Sequence, residues 1–281
     1  MQHFTASDGA RIAFDDEGEG RPLLLLHGLM AHSGFFEKQR ELADSFRLVR
    51  PDLRGHGESR EAANVDDALS IERLAADVAE LAAHLDLDHA VAVGWSLGAS
   101  VLFRLLAGPA AGRFAGAVIV DMTPRVLNEG DWTLGLSGEV CGARLQAIRE
   151  DFGSFAASAG AAIFAQPQQD GTRALAEWAG AEFARNDPDA IAALWSSLVG
   201  ADLRPLLPRI AQPTLVVHGA QSHLYGADTA DYLVAALPNA TAVEFAESGH
   251  APHLEQPGLF NRTLKDFAAS LPRVRQTPTI A

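Results

Sequence analysis

At 281 residues, 48% of them hydrophobic and 21% charged, the chain has the composition of a globular protein able to bury a large core. Its formal charge of −14 argues against nucleic acid or an anionic membrane surface as the main partner, since either favours a basic face. The single cysteine, Cys141, excludes an internal disulfide framework and fits a reducing compartment, with a small buried residue as its expected role.

In chain order, the N-terminus has no basic stretch leading into an apolar one, so no signal peptide is expected. No apolar run approaches the ~20 residues of a membrane helix, and a cytoplasmic location without membrane insertion is the expectation. Residues 11–14 and 22–26 read as strands, with 15–21 as a polar turn between them, and 46–50 reads as a third strand. From 70 to 87 apolar residues recur at three and four positions, which is helix spacing, with Ser70 as N-cap. The short apolar runs 90–93 and 115–120 suit strands buried on both faces of a parallel sheet, with a helix over 99–107 between them. Residues 124–208 carry aromatic and apolar residues in helical patterns without a convincing strand, and Asp187-Pro188 starts a helix among them. The alternation resumes with a strand at 214–217, a helix at 228–237, a strand at 241–245 and a helix at 258–270. The tail from 271 reads as irregular. The expected class is α/β: a core formed by 1–123 and 209–281, with 124–208 inserted as a helical cap.

Gly94-Trp95-Ser96-Leu97-Gly98 joins a buried strand to a helix, the context that gives G-x-S-x-G chemical meaning. The glycines permit a sharp turn that exposes the Ser96 hydroxyl, with the N-terminus of the next helix behind it. Upstream, His27-Gly28-Leu29 follows the 22–26 strand. Gly28 would let the Leu29 N–H join that of Leu97 as donors to a developing oxyanion. His27, at a strand end before glycine, reads as structural.

With Asp52-Leu53-Arg54-Gly55-His56-Gly57-Glu58-Ser59 and with Gly249-His250 followed by Glu255-Gln256-Pro257, these motifs make the chain resemble the cap-bearing branch of the α/β-hydrolase fold superfamily. The resemblance covers residues 10 to 270. It implies that 52–59 is a structural turn, so that His56 is not the base. Haloalkane dehalogenases and epoxide hydrolases in this superfamily carry Asp at the elbow, so Ser96 disfavours both chemistries.

A serine hydroxyl needs a neighbouring base. His250 lies in a loop after the last strand, where the resemblance places the base, while His253 is expected to face the following helix. The acid in such relatives usually follows the 214–217 strand in a G-x-x-D arrangement, but here the chain reads Gly219-Ala220-Gln221-Ser222. Asp121 closes the neighbouring strand, an end at which ligand chemistry gathers in such sheets, and is the preferred acid; Asp228 is the outside candidate. The reading is a serine hydrolase of carboxylic esters or lactones with an apolar part, with Met30, His32, Trp95 and Met122 placed at the pocket. No cofactor or metal is implied, because no His, Cys or Asp cluster has ligand spacing. A C–C bond hydrolase and a cofactor-free perhydrolase would use the same residue types. A ligand receptor on this fold would use none of them catalytically.

Overall fold

The structure is a computed structural model that describes residues 1–64, 69–166 and 170–272. Eight strands form one sheet: β1 (Gln2–Thr5), β2 (Arg11–Glu17), β3 (Arg21–Leu26), β4 (Phe46–Pro51), β5 (Ala90–Trp95), β6 (Phe114–Val120), β7 (Thr214–Gly219) and β8 (Ala240–Phe245). Their order is β1-β2-β4-β3-β5-β6-β7-β8; the β1–β2 and β2–β4 pairs are antiparallel and the others parallel. β3 and β5 form its centre. Leu23 to Leu26 and Ala90 to Val93 are wholly buried, as runs of continuous apolar residues in a covered parallel sheet must be.

The helix over 71–84 follows the expected periodicity. α1 (Ile71–His84) is capped by the Ser70 side chain, which accepts from the Arg73 N–H, and it turns Ile71, Leu74, Val78 and Leu81 inward. It packs on α2 (Leu97–Leu106), which lies against β5 and β6. Four helices enter between β6 and β7: α3 (Gly138–Glu150), α4 (Phe152–Ala162), α5 (Asp170–Phe183) and α6 (Pro188–Gly200). Asp187 caps α6, its carboxylate accepting from Asp189 and Ala190, with Pro188 in the first turn. α7 (Ala227–Ala236), the short α8 (Pro252–Glu255) and α9 (Pro257–Ser270) complete the chain.

One local expectation needs correction. Residues 15–21 are not all turn: β2 runs to Glu17, and only the segment around Gly18 and Gly20 reverses direction. The acidic side chains that suggested a loop pair across the strands instead. Arg47 of β4 grips Asp16 at 2.8 and 2.7 Å, and Arg50 reaches Glu17 at 2.7 Å. The edge strand β1 and the 3₁₀ segments Ser33–Asp44 and Gly57–Asn64 were not anticipated, because short strands and 3₁₀ turns leave no sustained period. Apart from Leu271 and Pro272, the tail lies outside the described residues.

Candidate active site

The elbow is built by two glycines. A Cβ on Gly94 would stand 2.5 Å from the Gly98 carbonyl oxygen, and one on Gly98 would stand 2.3 Å from that of Leu26. Strand, turn and helix therefore approach more closely than any side chain allows. Ser96 sits at the corner with φ 53° and ψ −119°, a strained conformation of the kind that surrounding structure must impose. Its N–H donates to Val120 of β6 at 3.1 Å, and α2 starts immediately after it. The Leu97 N–H belongs to the first turn of α2, where no intrahelical acceptor exists.

Across from the elbow, the 28–31 turn is closed by the Ala31 N–H donating to Gly28 at 3.2 Å, with Met30 at φ 65°. A Cβ at Gly28 would lie 3.2 Å from the Ser96 Cβ, so glycine lets this backbone, and the Leu29 amide after it, come close to the serine. His27 is held by two bonds. Its Nδ1 donates to the Gly28 carbonyl at 2.8 Å and its Nε2 accepts from the Leu53 N–H at 2.9 Å, which fixes a neutral imidazole. Burial pushes its pKa down to about 3.

His250 follows Gly249 in the loop after β8, and its Nδ1 donates to Asp121 Oδ1 at 2.8 Å. Asp121 ends β6 with φ 45°, a left-handed conformation that Asp tolerates better than most residues, and its own N–H is anchored to Val217 of β7 at 2.8 Å. The carboxylate is 2% exposed and takes two further bonds, from the Gly219 N–H to Oδ2 at 3.2 Å and from the Ser222 hydroxyl to Oδ1 at 3.0 Å. Asp228 stands exposed in the first turn of α7.

A cavity of about 240 Å³ opens above Ser96. Leu29, Met30, Trp95, Ser96 and His250 share its wall with residues of α3, α4 and α6 and with Leu224 and Tyr225. Trp95 also braces the loop, its indole N–H donating to the His250 carbonyl at 2.8 Å.

The sequence description of the alpha/beta hydrolase family matches residues 23–263. The chain belongs to the alpha/beta hydrolase family. It is 32% identical over 255 residues to a pimeloyl-[acyl-carrier protein] methyl ester esterase of Nitrosomonas europaea, covering 89% of this chain and 97% of that one. Among solved structures it is similar to an esterase from Exiguobacterium antarcticum, with a TM-score of 0.89 and 24% identity over 95% of this chain and 99% of the other. An esterase from Rhodococcus sp. ECU1013 has a TM-score of 0.83 and 27% identity, over 96% and 99% of the two chains.

Two pocket residues expected for this hydrolase lie elsewhere. His32 caps the 33–44 segment and points its Nε2 at Glu182 of α5, 3.2 Å away, in a separate polar cleft with Asp52 and Asn186. Met122, one residue past Asp121, is buried in the core and is not among the residues lining the cavity.

The other histidines of the hydrolase motifs are structural. His56 is buried in the 52–59 turn, where Asp52 accepts from the Ser33 and Glu58 N–H groups at 2.8 Å each. His253 is buried among Trp95, Phe36 and Phe260, and neither ring nitrogen has a protein partner. Glu255 ties the loop of His250 to the segment after α4, accepting from Gly249 at 2.8 Å and Ala165 at 2.7 Å. Burial pushes that carboxyl up to about 7. Cys141 is buried in α3, and burial raises its thiol pKa. Among the described residues, no group of three or more His, Cys, Asp or Glu side chains is placed to hold a metal ion, and no helix is long and apolar enough to cross a membrane.

Sequence reading missed Arg144, Leu224 and Tyr225 of the cavity wall. Arg144 lies on a helix with only two buried residues, so no apolar stripe marked the face it uses.

Proposed function

We propose that this hydrolase of ester bonds works through an acyl-enzyme on Ser96, with His250 as base and Asp121 as the acid that orients it. The observation that carries the reading is the 2.8 Å bond from His250 Nδ1 to the buried Asp121 carboxylate, with His250 and Ser96 lining one cavity. That bond commits Nδ1 as donor and leaves Nε2 free to accept a proton. In the forward step the Ser96 oxygen attacks the ester carbonyl while its proton passes to His250 Nε2. The tetrahedral oxyanion takes bonds from the Leu29 and Leu97 amides, next to the positive end of α2. Collapse expels the alcohol, which leaves with the proton from His250. Water repeats the sequence on the acyl-enzyme, releasing the acid and restoring Ser96.

Residues 124–208 act as a cap in this reading. α3, α4 and α6 supply the wall opposite the elbow, and Phe155, Ile163, Trp195 and Leu198 make it largely apolar. A small-molecule carboxylic ester with an apolar part is the preferred substrate, with a lactone next. The reading is tested by a panel of chromogenic esters of increasing acyl length, assayed beside lactones and a vinylogous diketone with wild type and Ser96→Ala. Ester turnover that vanishes in the variant is the expected result. Faster cleavage of the diketone than of any ester would move the reading to C–C bond hydrolysis.

A further inference from the structure

Among the described residues, the wall of the Ser96 cavity contains one permanent charge. Arg144 of α3 lines it, and no Asp or Glu does among the described residues. This is unusual in a chain where 36 acidic residues face 22 basic ones. Many other arginines pair with a carboxylate, among them Arg47 with Asp16 at 2.7 Å, Arg54 with Asp77 at 2.7 Å, Arg73 with Glu80 at 2.6 Å and Arg204 with Asp202 at 2.6 Å. Arg144 has no such partner among the described residues. Its guanidinium instead lies 5.6 Å from the centre of the Trp195 ring.

That placement is built. The Trp195 indole N–H donates to the carbonyl of Cys141 at 3.1 Å, one turn before Arg144 on the same helix, so α3 fixes the ring on which its own arginine rests. A cation–π contact at this distance engages the ring face and uses none of the guanidinium N–H donors. Ser158 and Tyr225 add hydroxyls to the same wall, and burial raises the Tyr225 pKa, which keeps that phenol a neutral donor. The rest of the wall is largely apolar, so little in it competes for the cation.

We infer that Arg144 is a substrate-anion site: the preferred ester carries a free carboxylate at the far end of its apolar part, as in a monoalkyl ester of an aliphatic dicarboxylic acid. A carboxylate matches a single guanidinium fork in geometry and charge. A phosphate, with more oxygens and more charge, would need more donors than one arginine and two hydroxyls. The inference rests on the proposed role of Ser96, and it makes Arg144 a specificity residue that does not touch the reacting carbonyl.

The test compares kcat/KM for monomethyl and dimethyl esters of the diacids from succinic to sebacic. Wild type should favour the half-ester of at least one diacid over its diester. In Arg144→Gln that ratio should fall about tenfold to a hundredfold, the loss of a charge-assisted bond, and mainly through KM. Arg144→Lys should retain part of it. Calorimetry on Ser96→Ala gives a second readout: the half-ester should bind, and Arg144→Gln in that background should weaken it. Diester turnover abolished by Ser96→Ala, with no half-ester preference at any length, would overturn the anion site and leave the esterase reading standing. Absence of turnover together with Arg144-dependent half-ester binding would do the reverse. A wild-type preference for an ω-phosphate over the matched ω-carboxylate would also overturn the carboxylate assignment, and the wild-type ratios need no variant to fold.

Discussion

Ser222 donates its hydroxyl to Asp121 Oδ1 at 3.0 Å, the same oxygen that receives the Nδ1–H of His250 at 2.8 Å. The position at which the resemblance to the family implies an acid is thus occupied by a hydroxyl that bonds the carboxylate at the end of the neighbouring strand. The two strand ends are adjacent, since β6 and β7 pair in parallel through Val120 and Val217. A carboxylate on either end can face the same imidazole.

The two residues should therefore respond very differently to substitution. Asp121→Asn removes the charge that favours the imidazolium and reverses the favoured tautomer. In serine triads that change costs on the order of 10⁴ in kcat, ~5.5 kcal/mol of transition-state stabilisation. Ser222→Ala removes one of three bonds to the carboxylate and leaves those from His250 and Gly219, so the expected loss is about tenfold or less. Steady-state kinetics on both variants checks the difference. Equal losses would mean that Ser222 does more than hold Asp121.

The acid limb of stability should be steep. His27, His56 and His253 are buried and their pKa values are pushed down to about 3, against ~6.5 in the unfolded chain. As pH falls below ~6.5 the unfolded chain takes up protons that the folded chain refuses. Their contribution is thus complete above that pH and is lost progressively toward 3. Glu255 works the other way. Its folded pKa of about 7 lies above the unfolded 4.5, so its contribution declines as pH rises through that interval. The net fall is measurable as denaturation midpoints between pH 8 and 4. His253→Phe isolates one group: it should gain about 1 kcal/mol at pH 8, because two unpartnered buried nitrogens disappear, and it should flatten the acid limb. A loss at pH 8 with an unchanged limb would show that His253 has a partner in solution.

Gly98→Ala should unfold the elbow. The added methyl would meet backbone atoms of Leu26 and His27 on the central strand side, and neither can move without breaking β3 from its neighbours. A cost of about 3 kcal/mol or more is expected from such overpacking in a thermal melt. A variant that melts with wild type would mean that the strand and helix do not approach this closely.

The elbow was legible in the sequence because its chemistry requires particular residues at fixed spacing, and the buried strands were legible because a covered parallel sheet demands continuous apolar runs. Asp121 was singled out by its place at a strand end, and the structure puts its carboxylate against His250. What brings it to His250, a left-handed turn locked by the Val217 carbonyl, left no pattern of its own. His32 was misplaced for a related reason: a histidine three residues past Leu29 could point to either side of the loop, and its partner Glu182 is 150 positions away. Arg144 and Tyr225 reach the cavity from separate elements, through tertiary packing that no local period records.

The most direct measurement of the central claim is intact-mass and peptide-mapping analysis after reaction with a fluorophosphonate. The account predicts a single adduct, located on Ser96, absent in Ser96→Ala, and formed much more slowly in Asp121→Asn and His250→Ala. An adduct on Cys141 or on another serine, or labelling that persists in Ser96→Ala together with undiminished ester turnover, would contradict it.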